Sequence, residues 1–241
     1  MGSRSETFRE YSRAERLSDA AVHIIGIAFA LMAVPVLVTL AAVWRGDPVA
    51  VVGTLIYGTS LIAMVLCSGL YHMLPYEDWK GVLRRLDHSA IYIKIAGTYT
   101  PFLLLAGGGS GHLLTGIWTA ALAGTSLKVY SPDRYRWVGL TLYLGMGWAG
   151  VVAGDAMIQS LSTEGFVLIL VGGAIYTVGV IFFLWEMLPF HNTIWHVFVL
   201  VASFVFYAAV VVELAAISDL PQMPDFTALA APELALPAAL D

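Results

Sequence analysis

Seven stretches of apolar residues dominate the chain, at 20–44, 48–74, 86–106, 113–127, 137–153, 166–188 and 193–217. Each is bounded by charge, glycine or proline, and the connections between them are short. A helix that crosses the hydrocarbon core needs about 20 mostly apolar residues. The bilayer offers the backbone no water, so a crossing segment must satisfy its own hydrogen bonds as a helix. The pattern therefore predicts an all-α membrane protein, a bundle of seven transmembrane helices. Strands of about ten alternating residues, which an outer-membrane barrel requires, are absent from the pattern. Pro35 and Pro101 lie inside spans, where neighbouring helices tolerate them. The first run exceeds the roughly 7–15 residues of a signal-peptide core and reads as a mature helix.

Composition agrees with lipid as the solvent. The 241 residues are 59% hydrophobic and 12% charged, where a soluble domain carries roughly a quarter charged residues. No connection is long enough for a separate soluble domain. Residues 1–241 read as one seven-helix domain, with a short cytoplasmic segment at 1–19 and a flexible C-terminal tail at 219–241. The single cysteine, Cys67, permits no intrachain disulfide.

Charge gives the spans a direction. Arg4, Arg9, Arg13 and Arg16 precede the first span, Lys80, Arg84 and Arg85 lie between the second and third, and Lys128, Arg134 and Arg136 between the fourth and fifth. With seven spans these fall on one side. The other side receives Arg45, while Lys94 is intramembrane. Positively charged loops stay in the cytoplasm, so the N-terminus is expected inside and the C-terminus outside. The Arg-rich start lacks the aromatic interleaving of a nucleic-acid surface, and no nucleic-acid partner is expected. The turn at Gly107–Gly109 has no following lysine and is not a phosphate loop.

The polar residues gather at one end of the spans. His23 opens the first, His72 closes the second, His88 opens the third, and His191 and His196 open the seventh. Asp19, Asp87 and Glu186 fall in the same layer, and His112 alone lies at the other side. Any one of these could simply be solvated near the headgroups. Together they bring imidazole from three chain segments to one depth, and ionisable groups within spans usually face a bundle interior or a cavity. Ser68 and His72, four residues apart, share a helical face. His72 stands just before the inner turn and Asp87 just after it, and His196 lies at a comparable depth. Imidazole nitrogens with an open water position suit Zn²⁺. Calcium and magnesium would ask for more oxygen ligands, and copper for sulfur.

The same residues carry a resemblance. Glu15-Arg-Leu-Ser-Asp19-Ala-Ala-Val-His23-Ile-Ile-Gly26, Ser68-Gly-Leu-Tyr-His72, Arg85-Leu-Asp87-His88-Ser-Ala-Ile-Tyr92, Gly97-Thr-Tyr-Thr-Pro-Phe102 and Pro189-Phe-His191-Asn-Thr-Ile-Trp-His196 resemble, in order, the motifs of the bacterial hemolysin III family. That family belongs with the progestin and adiponectin receptors and is related to alkaline ceramidases. The resemblance covers nearly the whole chain. It implies zinc near the cytoplasmic side of a bacterial inner membrane, with His72, His191 and His196 as ligands and Asp87 holding the water. The receptors' paired histidines are four residues apart, whereas His191 and His196 are five apart, about 140° around a straight helix. Both can reach one ion only if His191 precedes the regular helix or a π-bulge intervenes.

The leading functional expectation is a zinc-dependent, ceramidase-like lipid-amide hydrolase, with a membrane lipid as substrate or ligand. Asp87 and Ser68 would be catalytic. Lys94, seven residues beyond Asp87 and on nearly the same face, would bind a headgroup or product carboxylate. Asp19, His23 and His88 would support the ligands from behind. A non-catalytic zinc-stabilised lipid sensor uses the same ligands. A pore-forming cytolysin needs polar groups along its whole length and fits the one-ended polarity least.

Overall fold

The computed structural model describes residues 11–75, 77–106, 111–131 and 135–216. Arg4, Arg9, Arg134, the turn at Gly107–Gly109 and the tail at 219–241 lie outside the described residues. The described chain is all helix and connection: α1 Arg13–Trp44, α2 Pro48–Met73, α3 Glu77–Leu105, α4 Gly111–Tyr130, α5 Arg136–Ala153, α6 Asp155–Ser160, α7 Thr163–Leu184 and α8 His191–Ala216. Each of the seven apolar runs overlaps one long helix, although α7 ends at Leu184, short of the end of its run at 188. Among the described residues α1, α2, α7 and α8 are long and apolar enough to cross a membrane. Ile24, Leu31, Met32 and Val36 lie exposed on the outer face of α1, an apolar surface suited to lipid.

Local chemistry sets the helix starts. Ser12 and Glu15 close a capping box at the start of α1, which satisfies two backbone donors reciprocally. This start carries α1 seven residues ahead of its apolar run. Asp47 caps α2 by accepting from Ala50 N at 2.8 Å, with Pro48 in the first turn. That backbone N–H holds the Asp47 carboxyl below its ordinary range. Helix α3 extends well before its apolar run, into the stretch 75–85 that reads as a polar connection. Glu77 and Asp78 occupy its first turn, where acidic side chains complement the helix dipole. The six-residue α6 carries no apolar period that would mark it in the sequence.

Helix α3 is the hub. Every residue from Ala96 to Leu103 is buried, and α3 packs on α2, α4, α5 and α8, while α1 packs on α2 and α8 and α7 lies on α8. Between apolar helices, close backbone approach and interhelical hydrogen bonds hold the bundle. Gly97 lies so close to α2 that a Cβ there would strike the Ser60 side chain. Tyr92 Oη donates to Gly139 O at 3.0 Å, and Tyr99 Oη donates to Gly147 O at 2.8 Å and accepts from Gly150 N at 2.9 Å, tying α3 to α5. Glu213 Oε1, on α8, accepts from Ser162 N and Ser162 Oγ at 3.0 and 2.6 Å and so anchors the start of α7.

Candidate metal centre

Three imidazoles from three helices meet at one end of the bundle. The rings of His23 on α1, His72 on α2 and His196 on α8 lie with centroids 4.3–5.1 Å apart: His23–His196 at 4.3 Å, His72–His196 at 4.5 Å and His23–His72 at 5.1 Å. One candidate ligand atom from each comes within 4.8 Å of the other two. Their side chains are 4%, 18% and 11% exposed, respectively, so protein rather than solvent surrounds them.

Asp19 organises all three. Its Oδ1 lies 2.6 Å from His196 Nδ1 and its Oδ2 3.1 Å from His72 Nδ1. Its backbone carbonyl lies 2.8 Å from His23 Nδ1, one helical turn on. In each ring, then, Nδ1 faces an oxygen of Asp19. A carboxylate or carbonyl that takes Nδ1–H fixes the tautomer and leaves the Nε2 lone pair for a metal. His23 Nε2 is meanwhile 3.1 Å from Ser68 Oγ. Three imidazoles with Nδ1 so engaged form a set that could hold a metal ion. The four-residue spacing of Asp19 and His23, and of Ser68 and His72, puts each pair on one helical face, so two turns of helix supply most of the cluster.

The cluster opens into a cavity of about 420 Å³, within the range of small-molecule sites, roughly 300–1,000 Å³. Ser68, Asp87 and His88 line it with the three histidines. Asp87 Oδ2 accepts from His88 Nδ1 at 2.9 Å. Lys128, on α4, and Arg136, at the start of α5, add positive charge to the wall, and Arg136 Nη2 pairs with Glu186 Oε1 at 2.6 Å.

His191 lines the same cavity but stands away from the triad, its Nε2 3.0 Å from Tyr11 Oη. The turn before α8 explains its direction. Phe190 has φ 61°, and its N–H is held by Glu15 Oε1 at 3.0 Å. Helix α8 starts immediately afterwards, at His191. Five positions apart on a helix, His191 and His196 diverge, and the position one turn before His196 is Asn192, also in the cavity wall. The third imidazole beside His72 and His196 is His23. The residues 15, 19 and 23 stand at four-residue intervals, and that period is the signal in the sequence for His23 and Asp19. The contributions of Tyr11 and Asn192 leave no such trace.

Lys94 lies elsewhere. It lines a second chamber of about 80 Å³, which shares Ile91, Tyr143 and Trp195 with the first.

A family model described as haemolysin-III related matches residues 12–207, a span that contains Asp19, His23, His72 and His196. The chain is 40% identical over 191 residues to the hemolysin-3 homolog of Bacillus subtilis (strain 168), covering 78% of this chain and 89% of that protein. It is 42% identical over 193 residues to hemolysin-3 of Bacillus cereus, covering 78% and 87%. It is 33% identical over 165 residues to the human monocyte to macrophage differentiation factor, covering 64% and 67%. The chain is a membrane protein that belongs to the haemolysin-III-related family.

Proposed function

We propose that this protein is a zinc-dependent hydrolase of membrane lipid amides. In this reading its seven long helices all cross a bacterial cytoplasmic membrane, with the N-terminus inside, the C-terminus outside and the histidine cavity at the cytoplasmic end. The observation that carries the reading is the convergence of His23, His72 and His196 around Asp19 at the wall of a cavity that also presents Asp87 and Ser68. A purely structural zinc site closes its coordination with protein ligands, whereas a catalytic one uses three and keeps a position open.

His23, His72 and His196 would hold the ion through Nε2. Zinc bound there supplies Lewis acidity and lowers the pKa of a water to about 7. Asp19 keeps the His72 and His196 rings in the tautomer that presents a lone pair. Asp87 spends one oxygen on His88, and its other oxygen is available to accept a proton within the cavity. Ser68 Oγ, beside His23 Nε2, can turn its hydroxyl toward a substrate carbonyl. The walls that carry Trp195, Leu200 and Val199 would receive the apolar body of the lipid. The name hemolysin-3 among the relatives suggests cytolysis for those proteins. A pore requires polar groups along its length, and the chamber beyond Tyr143 and Trp195 is walled mainly by apolar and aromatic side chains.

The test is hydrolysis of a panel of lipid amides by the purified, zinc-loaded protein. Asp87→Asn should keep the zinc and the fold and lose roughly 10²–10⁴-fold in turnover, because an amide cannot accept the proton. No hydrolysis by the wild type across the panel would overturn the proposal, and full activity in Asp87→Asn would overturn the role of Asp87.

A further inference from the structure

The Lys94 side chain is buried at the centre of the bundle, 2% exposed, and no carboxylate among the described residues lies within ion-pair distance of it. Its Nζ donates to Thr98 Oγ1 at 2.6 Å and sits 4.4 Å from the centroid of the Tyr57 ring. An ammonium carries three donors, so one hydrogen bond and a ring face leave the group under-satisfied. Of the polar neighbours in the chamber, Tyr143 Oη is buried without a hydrogen-bond partner, while the others are committed. Tyr99 bonds Gly147 O and Gly150 N. Thr177 bonds Gly173 O and Trp148 Nε1, and Tyr176 bonds Ser203. An ionisable group at membrane depth is costly and marks a ligand path more often than a structural position.

From this arrangement we propose that the Lys94 chamber is a carboxylate-binding site, separate from the histidine cavity. This goes beyond the hydrolase reading and does not depend on it. The chamber measures about 80 Å³. It is much smaller than the histidine cavity of about 420 Å³, which suits a compact head such as a carboxylate. One amine is balanced by one negative charge, and the two oxygens of a carboxylate answer the two donors that Thr98 leaves unused. A charge-assisted bond of this kind is among the stronger hydrogen bonds.

The walls say where the rest of such a molecule goes. Ile91, Tyr143 and Trp195 stand between this chamber and the histidine cavity. On the other flank the wall includes Gly147, exposed on α5, where a Cβ would meet nothing within 4 Å. A hydrocarbon tail can therefore leave sideways past Gly147 into lipid while its carboxylate stays at Lys94. A fatty acid and a small free carboxylate offer the same head chemistry, and the experiment separates them.

The full-length protein in neutral detergent is titrated with dodecanoate and, separately, acetate, each ¹³C-labelled at the carboxyl carbon and followed by its NMR shift. The wild type stripped of metal by a chelator should still bind, because the site needs no metal, and the Lys94 variants are compared with it in that state. Lys94→Met should bind roughly 10–100-fold more weakly, the loss expected for a hydrogen-bonded charge. Lys94→Gln serves as the second variant should the first fail to fold, with thermal unfolding as the check. Dodecanoate binding without acetate binding assigns a lipid source, and the reverse assigns a free carboxylate. Lys94 variants that bind like the wild type, or a metal-free wild type that binds neither probe, would each overturn the proposal.

Discussion

Asp19→Asn is the substitution that most sharply probes how the cluster is built. The native carboxylate receives two imidazoles, His196 at 2.6 Å and His72 at 3.1 Å. An asparagine of nearly the same shape offers one acceptor oxygen and one NH₂ donor. One of the two Nδ1–H groups then faces a donor, and that ring must turn or change tautomer. Either response takes an Nε2 lone pair away from the metal position. His23 is spared, because it bonds the backbone carbonyl of residue 19, which the substitution leaves in place. Loss of one such supporting partner costs roughly 10–100-fold in metal affinity, about 1.4–2.7 kcal/mol. Asp19→Ala, which removes both acceptors, should lose at least as much. The assay is competition for zinc against a fluorescent chelator, with thermal unfolding of the metal-free protein run in parallel to separate metal loss from unfolding. Asp19→Asn binding zinc as tightly as the wild type would refute the reasoning, since it would mean that the carboxylate does not set the tautomers.

Two further substitutions test the fold around the site. Gly97→Ala should lower stability by about 1–3 kcal/mol, the cost of forcing extra volume into a packed core, because its Cβ would meet Ser60 on α2; thermal unfolding in detergent measures it, and an unchanged midpoint would show that α2 and α3 are not in close contact. A cysteine introduced at Lys80 in a Cys67→Ser background should be labelled by a membrane-impermeant maleimide only from the cytoplasmic side, and a reporter fused after Asp241 should appear outside; the opposite pattern would reject the proposed orientation.

The long helices were legible in the sequence because lipid imposes one rule, a run of about 20 apolar residues per crossing. The polar ends of α1 and α3 escape that rule. They are set by a capping box at Ser12 and by acidic residues at 77 and 78, and no apolar run marks them. For the site, helical spacing alone was enough to group Ser68 with His72 and Asp19 with His23. It left the third imidazole to the resemblance, which implies His191 and not His23. The choice of His23 is made by a tertiary contact: the Phe190 N–H held by Glu15 across the bundle starts α8 at His191 and aims its ring at Tyr11. Lys94 presents the same difficulty. Its spacing from Asp87 puts both on nearly one face of α3, but Ile91, Tyr143 and Trp195 divide that face between two chambers. Side chains from α5 and α8 make the division, and their positions follow from packing that no local pattern encodes.

The most direct test of the account is zinc stoichiometry in purified single variants, measured by elemental analysis after dialysis against a weak chelator. His23→Ala, His72→Ala and His196→Ala should each lose the ion, while His191→Ala and the distant His112→Ala should keep one zinc per chain. Zinc retained in His23→Ala and lost in His191→Ala would contradict the assignment of the third ligand, and a wild type that binds no zinc would contradict the metal centre itself.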